Sequence, residues 1–398
     1  MTLSRIVVVG ASAAGLTAAE TLRREGFTGR LTLIGEEQHP PYDRPPLSKQ
    51  ILKGEWQPER IALRPAEALD GLDAEWLLGR KAVSLDVAGR TIELADGVQV
   101  PFDGLVVATG VRPRRLPFAR ELDGVHALRD LEDALKLRDS LRSVPSVVVI
   151  GAGFLGAEAA AVARELGCPV SLVDPLSAPM VRQLGGDVAS RVASLHRAHG
   201  VDVRCDTGVT GFTEDRGRVA GVRLDDGSEI PAEVVLVAIG SVPAVEWLRD
   251  SGLPVGDGVL CDEFCEAAPG IVAAGDVASW VHPDHGRIRV EHRMNATEQG
   301  MAAARTLLGR RLPFAPVPYF WTDQYDVKIQ AYGRPCADAD FTVVSGGPDG
   351  GPFAGVYGQN GRITAGVTWN MPREARALRA QVIERAPWPR PAAAAANG

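Results

Sequence analysis

The sequence has few of the features that would connect it to a membrane or a nucleic acid. No apolar run is long enough to cross a bilayer. No basic block occurs in a chain whose 43 Lys and Arg face 50 Asp and Glu, for a net charge of −7, which argues against a nucleic-acid partner. No signal peptide is evident, because the amino terminus itself has the pattern of a strand. The prediction is a cytoplasmic protein without membrane or nucleic-acid partners.

Cysteine is also scarce. The five cysteines are scattered, odd in number and without a Cys-x-x-Cys pair: Cys168, Cys205, Cys261, Cys265 and Cys336. This distribution predicts core or surface thiols, with neither a disulfide framework nor a metal site. At 398 residues the chain is long enough for two or three domains.

The first 49 residues have the pattern of a dinucleotide-binding unit. An apolar run, residues 6–9, leads into a tight turn at residues 10–15, a helix-forming stretch, and a second apolar run that ends at Glu36. Gly10 permits the turn, the small Ser12 lets the backbone approach a pyrophosphate, and Gly15 lets the helix pack close to the sheet. The helix N-terminus presents N–H groups to phosphates, and Glu36 can accept from ribose hydroxyls.

A proline-stiffened loop, residues 40–49, follows this unit. Its prolines restrict the backbone, so that Arg44 and Lys49 lose little further entropy when they are held in place. We predict that these cations contact a cofactor. The alternative is an ordinary surface loop.

A second and stricter signature lies at residues 147–174. The strand-like run 147–150 leads into Gly151-Ala-Gly153-Phe-Leu-Gly156, then into a helix to about residue 166 and a strand that ends at Asp174. This order predicts a second dinucleotide site. An acid at that strand end accepts from a ribose 2′-hydroxyl and repels a 2′-phosphate, which favours NADH. Arg182 could still reach a phosphate, so NADPH stays open.

Two such units require two dinucleotides, or one dinucleotide and a decayed copy. Both copies are intact, which favours a flavin in one and a nicotinamide in the other, because hydride then passes directly between them. Two further apolar runs end on Thr109-Gly110 and on Gly275-Asp276. Asp276 can bind a ribityl hydroxyl, or it can cap a following helix.

We predict an α/β fold with two Rossmann-like dinucleotide-binding domains, as in glutathione reductase, and a C-terminal α+β domain. The FAD-binding domain is expected at residues 1–112 and 243–316, and the NAD-binding domain at 113–242. The aromatic-rich stretch 319–325 opens the C-terminal domain, residues 317–385, which includes short strands and a helix at about 373–384. A disordered Pro/Ala tail is expected at 386–398.

These motifs together resemble a known family over nearly the whole chain. Residues 10–15, 41–49, 108–110, 151–158, 273–276 and 320–325 are similar to those of the FAD-dependent ferredoxin reductases of the putidaredoxin-reductase type. Those enzymes serve bacterial cytochrome P450 and ring-hydroxylating oxygenase systems. Glutathione-reductase relatives carry a reactive disulfide just after the first helix, whereas no cysteine precedes Cys168 here. The resemblance therefore implies that electrons leave the flavin directly.

The resemblance also implies a role for each matched position. For the ADP half of FAD these are Gly10, Ser12, Gly15 and Glu36; for its phosphates, ribityl chain and ring they are Arg44, Lys49, Thr109, Arg129 and Asp276. For NADH they are Gly151, Gly153, Gly156 and Asp174. Further cofactor contacts are expected at Ala13, Ala14, Glu37, Ala82, Val83, Ala108, Gly110, Phe154, Leu155, Ile239, Gly240, Gly275, Val277, Glu291, His292 and Ala296.

Three residues are expected to be catalytic. The ammonium of Lys49 would stabilise negative charge on the reduced flavin, and Glu158 would orient Lys49 or the nicotinamide carboxamide. Trp321 would lie beside the isoalloxazine ring. The plain alternatives are a first-turn acid that complements the helix dipole for Glu158, worth about 0.3–1 kcal/mol, and core packing for Trp321.

The function that this resemblance implies is transfer of electrons from NADH through FAD to an iron–sulfur ferredoxin that feeds a cytochrome P450 or other oxygenase. A rubredoxin reductase and an NADH oxidase remain alternatives. A redox-signalling flavoprotein like apoptosis-inducing factor is an alternative of another class. The expected oligomeric state is a monomer or weak homodimer. Arg64, Arg310, Arg311, Lys328 and Arg334 are candidates for docking an acidic ferredoxin.

Overall fold

The structure is a computed structural model, and it describes residues 3–118, 122–335, 339–347 and 351–388. Cys336 and the predicted tail from residue 389 onward lie outside the described residues. Within the described ranges, no helix has the length and hydrophobicity needed to cross a membrane. The same ranges contain no group of three His, Cys, Asp or Glu residues able to hold a metal.

Strands account for most of the regular structure. In chain order they are β1 Arg5–Val9, β2 Arg30–Ile34, β3 Ala74–Leu77, β4 Ala82–Asp86, β5 Thr91–Leu94, β6 Gln99–Pro101, β7 Gly104–Val107, β8 Val111–Pro113, β9 Val125–His126, β10 Val147–Ile150, β11 Val170–Val173, β12 Asp202–Arg204, β13 Val209–Asp215, β14 Arg218–Leu224, β15 Glu229–Pro231, β16 Val234–Val237, β17 Ser241–Pro243, β18 Val255–Gly256, β19 Gly258–Leu260, β20 Glu266–Ala268, β21 Ile271–Ala273, β22 Ala278–His282, β23 Gly286–Arg289, β24 Tyr319–Gln324, β25 Val327–Gly333, β26 Asp340–Gly346, β27 Phe353–Gln359 and β28 Arg362–Trp369.

The helices are fewer and mostly pack against the sheets. They are α1 Ala13–Arg24, α2 Gln50–Lys53, α3 Ala66–Asp70, α4 Leu131–Leu141, α5 Phe154–Glu165, α6 Val181–Ala198, α7 Arg293–Leu307 and α8 Pro372–Ile383. Short 3₁₀ turns occupy Pro45–Ser48, Pro58–Ile61, Glu246–Leu248 and Gly275–Val277.

The chain divides into two compact units. Unit 1 comprises Met1–Arg44, Pro58–Arg112 and Ser241–Pro316; unit 2 comprises Pro45–Gln57, Pro113–Gly240 and Val317–Gly398. The predicted three-domain division stays a prediction. The second half of the proline-stiffened loop belongs to unit 2, which its position in the sequence gave no reason to expect.

Unit 1 is built on a six-stranded sheet in the order β20-β21-β7-β1-β2-β3. The strands from β21 to β3 pair in parallel, and the apolar runs that form β1, β2, β7 and β21 are buried along most of their length. Burial of both faces explains why these runs are continuously apolar rather than alternating. The carboxyl ends of parallel strands meet at one edge of the sheet, so Gly10, Glu36, Ala108 and Gly275 all follow that edge.

Unit 2 contains a parallel five-stranded sheet in the order β12-β11-β10-β16-β9. It also contains an antiparallel five-stranded sheet in the order β24-β25-β28-β27-β26. The antiparallel sheet packs on α5 and α6 through a shared cluster that includes Ala157, Leu184, Phe320 and Phe353. This packing fixes the position of β24 relative to α5.

The α/β fold class and both strand–turn–helix–strand units are confirmed. The helix predicted at about residues 373–384 is present as α8. The tail was predicted from residue 386, but the described part of it is ordered. Trp388 N–H donates to the Gly361 carbonyl at 3.0 Å, and Ile363 N–H donates to the Ala386 carbonyl at 2.9 Å. The Trp388 side chain packs against a buried apolar cluster that includes Val356 and Ile363.

Candidate functional site

The first glycine turn lies between β1 and α1, in unit 1. Gly10 has a φ of +115°, and a Cβ at this position would lie 2.0 Å from the Ala108 carbonyl oxygen, so that only glycine fits. A Cβ at Gly15 would lie 1.8 Å from the Gly10 oxygen, which explains the close packing of helix on turn. Ser12 occupies the N-cap of α1, followed by the buried Ala13 and Ala14. The turn thus has the geometry that was predicted.

The acids after β2 have different partners. Glu36 is exposed and pairs with Lys81 Nζ at 2.8 Å. Glu37 accepts from the Tyr42 hydroxyl and from the Arg44 guanidinium. The Arg44 guanidinium also lies over the Tyr42 ring, 5.2 Å from its centroid. The first half of the proline-stiffened loop is therefore anchored to the end of β2.

Burial acts to lower the pKa of Arg44, but the neighbouring Tyr42 and Glu37 outweigh it and the pKa is raised. Its guanidinium therefore stays charged, as a cation that contacts phosphate must be.

The other predicted residues of unit 1 follow neighbouring strands. Ala82 and Val83 are on β4, and Ala108, Thr109 and Gly110 follow β7. The Thr109 hydroxyl donates to the Ala244 carbonyl at 2.8 Å. Glu291 accepts from the Ser241 hydroxyl at 2.6 Å. His292 occupies the N-cap position of α7, and Ala296 is buried in the first turns of that helix.

Asp276 lies with Gly275 and Val277 in a 3₁₀ turn. The alternative that Asp276 caps a following helix is wrong, because strand β22 begins at Ala278.

The second glycine turn lies between β10 and α5, in unit 2. Gly151 has a φ of +98°, and a Cβ at Gly156 would lie 1.8 Å from the Gly151 oxygen. Phe154 and Leu155 begin α5, whereas Ile239 and Gly240 follow the neighbouring strand β16.

Asp174 follows β11 and is buried. Its carboxylate accepts from Ala152 N–H at 2.6 Å and from Leu176 N–H at 2.8 Å, and so ties the glycine turn to the next strand end. Arg182 lies at the start of α6.

Lys49 and Glu158 form a buried ion pair in unit 2. Lys49 Nζ lies 2.6 Å from Glu158 Oε2, and the two side chains are 12% and 6% exposed. The same Oε2 accepts from the Ser48 hydroxyl at 2.5 Å, and Oε1 accepts from the Thr322 hydroxyl at 2.8 Å. Three donors thus hold one carboxylate, as a buried charge requires.

The helix-dipole alternative for Glu158 is wrong. The first turn of α5 contains no acid, and Glu158 sits one residue beyond it. Its side chain is instead engaged by Lys49, which precedes α2, and by Thr322 of β24, both far away in sequence.

Trp321 and Arg129 are half-buried members of unit 2. On β24 the residues alternate, so that Phe320, Thr322 and Gln324 are buried while Tyr319 and Trp321 are less so. Trp321 stacks near Tyr319, with ring centroids 5.9 Å apart, and it does not belong to the core cluster that contains Phe320. Arg129 lies just before α4, where its N–H donates to Asp133 at 2.9 Å.

The two glycine turns fit dinucleotides. A Cβ at Gly153 would meet, among the described residues, only the Gln183 amide nitrogen at 4.0 Å. The backbone there is thus open to the close approach that a pyrophosphate makes. In unit 1, the Ser12 side chain forms no capping bond within the described residues, so it does not cover the N–H groups at the start of α1.

Family models match almost the whole chain. The model described as pyridine nucleotide-disulphide oxidoreductase matches residues 4–300, and the model described as reductase C-terminal matches residues 319–397. The chain belongs to the pyridine nucleotide-disulphide oxidoreductase family. The predictions of an oxidoreductase that uses FAD and NADH, and of the family itself, are therefore confirmed.

Relatives of this oxidoreductase match it over nearly their full lengths. It is 39% identical to rhodocoxin reductase from Rhodococcus erythropolis, over 94% of this chain and 88% of the relative. It is 37% identical to the ferredoxin–NAD(+) reductase component of the p-cumate 2,3-dioxygenase system from Pseudomonas putida, over 96% and 94%. The reductase in the covalent putidaredoxin reductase–putidaredoxin complex is 32% identical, with a TM-score of 0.92 over 96% of this chain and 94% of that one.

The described cysteines of this oxidoreductase are unpaired thiols: Cys168, Cys205, Cys261 and Cys265. Burial raises the pKa of Cys261 to about 12 and raises the pKa of Cys265 further. Both therefore stay protonated at neutral pH and make poor nucleophiles. The prediction that the chain has no disulfide framework stays a prediction.

Sequence reasoning missed Ser48 and Thr322, which complete the Glu158 site. Ser48 is adjacent to Lys49, and Thr322 is adjacent to Trp321. A hydroxyl beside a predicted catalytic residue was the signal in both cases. Only the packing of β24 on α5 shows that these hydroxyls reach the same carboxylate.

Proposed function

We propose that this oxidoreductase takes hydride from NADH and passes single electrons to a [2Fe–2S] or similar ferredoxin that feeds a cytochrome P450 or other oxygenase. The observation that carries the proposal is a glycine turn in each unit, at the carboxyl edge of its own parallel sheet. A relative that matches over 96% of this chain is named as a ferredoxin–NAD(+) reductase component of a dioxygenase system.

The proposed cofactor sites follow the two turns. In unit 1, Gly10 to Gly15, Glu36, Arg44, Thr109 and Asp276 would hold FAD. In unit 2, Gly151 to Gly156 and Asp174 would hold NADH. For Lys49, Arg129 and Trp321, contact with the flavin is what the family resemblance implies. When bound, the flavin supplies the chemistry of accepting a hydride and releasing its electrons singly.

The role proposed for Lys49 and Glu158 is to hold one positive charge in a fixed position. Glu158 holds the Lys49 ammonium in one position at 2.6 Å. An ammonium that is fixed before reaction stabilises developing negative charge without reorganisation. No cysteine precedes Cys168, so the proposed electron path does not include a disulfide after the first helix. Consumption of NADH and the unpaired described thiols favour the cytoplasm as the location.

The absorbance spectrum of the purified protein tests the cofactor assignment. We expect flavin bands that are bleached by NADH, and a much weaker response to NADPH, because the Asp174 carboxylate repels a 2′-phosphate. A colourless protein that takes up no FAD on reconstitution would contradict the proposal.

Stopped-flow reoxidation tests the acceptor. NADH-reduced protein is mixed separately with a [2Fe–2S] ferredoxin, a rubredoxin and oxygen. We expect the ferredoxin to react fastest. Faster reaction with rubredoxin would indicate a rubredoxin reductase, and faster reaction with oxygen would indicate an NADH oxidase. Reduced protein that persists with every acceptor would favour a signalling role.

A further inference from the structure

A continuous chain of buried polar side chains extends from Glu158 into the core of unit 2. The Thr322 hydroxyl lies 2.8 Å from Glu158 Oε1, and Gln324 Nε2 lies 3.2 Å from that hydroxyl. Gln324 Oε1 lies 2.9 Å from His196 Nε2. Each of these three side chains belongs to a residue that is at most 1% exposed.

The carboxylate at one end fixes the direction of every bond in this chain. The ionised Glu158 can only accept, so the Thr322 hydroxyl donates to it. The Thr322 oxygen must then accept from the Gln324 NH₂ group, which leaves the Gln324 carbonyl to accept from His196 Nε2–H. His196 Nδ1 is consequently the acceptor for the Tyr325 hydroxyl, 3.1 Å away. All donors point toward Glu158.

We propose that Thr322, Gln324 and His196 are positioning residues that hold the Glu158 carboxylate in the orientation in which it binds Lys49. The consequence of this positioning for catalysis rests on the proposed function, in which Lys49 acts on the flavin. The two carboxylate oxygens of Glu158 have different partners. Oε1 accepts from Thr322, and this bond orients Oε2 toward the Lys49 ammonium.

The chain orders groups rather than carrying protons. An amide lies in its middle, and an amide donates through nitrogen while it accepts through oxygen. Its alignment and its burial instead strengthen each bond, since oriented dipoles polarise one another where water is excluded. The C-terminal sheet supplies Thr322 and Gln324, and α6 supplies His196, so packing of the sheet on α6 sets the Lys49–Glu158 geometry.

The test measures Lys49 directly, by its rate of acylation in the holoprotein, followed by peptide mass spectrometry. Lys53, Lys81, Lys136 and Lys328 serve as internal references. In Thr322→Val the hydroxyl is lost at nearly constant volume. We expect Lys49 to react about tenfold faster, because a hydrogen bond to a charged group is worth about 1.5 kcal/mol or more, while the reference lysines are unchanged. Thr322→Ser should restore slow acylation.

Gln324→Met tests whether the groups act in series. We expect a smaller increase in Lys49 acylation, about threefold for about 0.7 kcal/mol within the range of a neutral hydrogen bond. The double variant should equal Thr322→Val alone, because Gln324 acts only through Thr322. If the effects of the two substitutions on Lys49 acylation added up, the proposal that these side chains act in series would be wrong.

Tyr357→Phe is the matched control. The Tyr357 hydroxyl is a buried donor in the same unit, bonded to the Leu184 carbonyl at 2.6 Å, and its loss should lower stability without changing Lys49 acylation. Equal acceleration in Tyr357→Phe and Thr322→Val would overturn the proposal, as would no acceleration in Thr322→Val. Acylation of Lys49 needs no electron acceptor. Failure of the protein to reduce ferredoxin would therefore contradict the proposed function but not the positioning of Glu158.

Discussion

The buried pair of Lys49 and Glu158 is the part of the site for which single substitutions give the clearest expectation. We predict that Lys49→Met lowers the free energy of unfolding by about 3 kcal/mol, because it leaves a buried carboxylate without its cation. Adding Glu158→Gln should recover most of this loss, since the neutral amide needs no counter-charge. Urea unfolding of Lys49→Met, of the double variant and of the parent measures both effects.

Lys53 provides the matched control. It pairs with Glu55 and Glu165 at 2.9 and 3.5 Å, and all three side chains are about a third exposed or more. Lys53→Met should therefore cost less than about 1 kcal/mol. A loss as large as that of Lys49→Met would show that burial is not what makes the Lys49 pair important.

His196 gives a prediction about pH. Burial lowers its pKa to about 4, and the bond to Gln324 opposes this shift only in part. Between about pH 4 and the unfolded-state pKa of about 6.5, the unfolded chain binds a proton that the folded chain does not, so stability rises with pH across this window. We predict that the parent loses about 2 kcal/mol more than His196→Asn between about pH 7 and about pH 5.

Comparison with His196→Asn isolates this contribution from the carboxylates that titrate in the same range. Parallel stability curves for the two proteins, measured by urea unfolding at each pH, would contradict the prediction. They would mean that His196 is protonated in the folded state.

At the scale of single residues, the sequence identified the charged residues of the site better than the polar residues that contact them. Lys49 and Glu158 were both singled out through the family resemblance, and they meet at 2.6 Å. Thr322, Gln324 and His196 have no pattern of their own in the sequence. Their roles depend on two segments that are more than 100 residues apart, and local sequence contains no information on that contact.

At the scale of elements, two glycines of the β10–α5 turn have different roles, one in NADH binding and one in folding. We predict that Gly153→Ala raises the KM for NADH about tenfold, or about 1.4 kcal/mol, with no change in stability, because its Cβ enters space left open by the described residues. Gly156→Ala should instead destabilise by about 1–3 kcal/mol, since its Cβ would lie 1.8 Å from the Gly151 oxygen. Steady-state kinetics and thermal unfolding distinguish the two variants.

The flavin content of both variants is the control for this pair. The Gly10 turn is untouched, so both should retain FAD. Weakened NADH binding in Gly156→Ala with full stability would contradict the assignment of Gly156 to packing.

The strands and helices that the sequence predicted well are those with a strong period and clear ends. The apolar runs of β1, β7, β10 and β16 are continuous because both faces of a parallel sheet are covered. The break in α6 was not predicted: Gly185 has a φ of 68° and kinks the helix. Gly185 is followed by Gly186, and a Gly-Gly pair marks turns, so the sequence does contain a signal for this break.

At the scale of the whole molecule, the net charge of −7 opposes approach of an acidic carrier unless local cations overcome it. Four of the five arginines and lysines proposed for docking already pair with acids: Arg64 with Glu20, Arg310 with Glu25, Arg311 with Glu266 and, less closely, Lys328 with Asp323. A paired cation contributes little field at a distance. Lys328 is 3.8 Å from Asp323, and Arg334 is exposed, which makes the β25 region the stronger candidate.

We therefore predict that kcat/KM for an acidic ferredoxin falls about tenfold as salt rises from about 0.01 M to about 0.15 M, because the Debye length shrinks from about 30 Å to about 8 Å. Lys328→Glu and Arg334→Glu should each remove more of this salt dependence than Arg64→Glu, whose positive charge is already offset by Glu20. Steady-state ferredoxin reduction at fixed NADH measures all four proteins. A rate that is independent of salt in the parent would rule out docking through charge, and a larger effect of Arg64→Glu would move the docking surface away from β25.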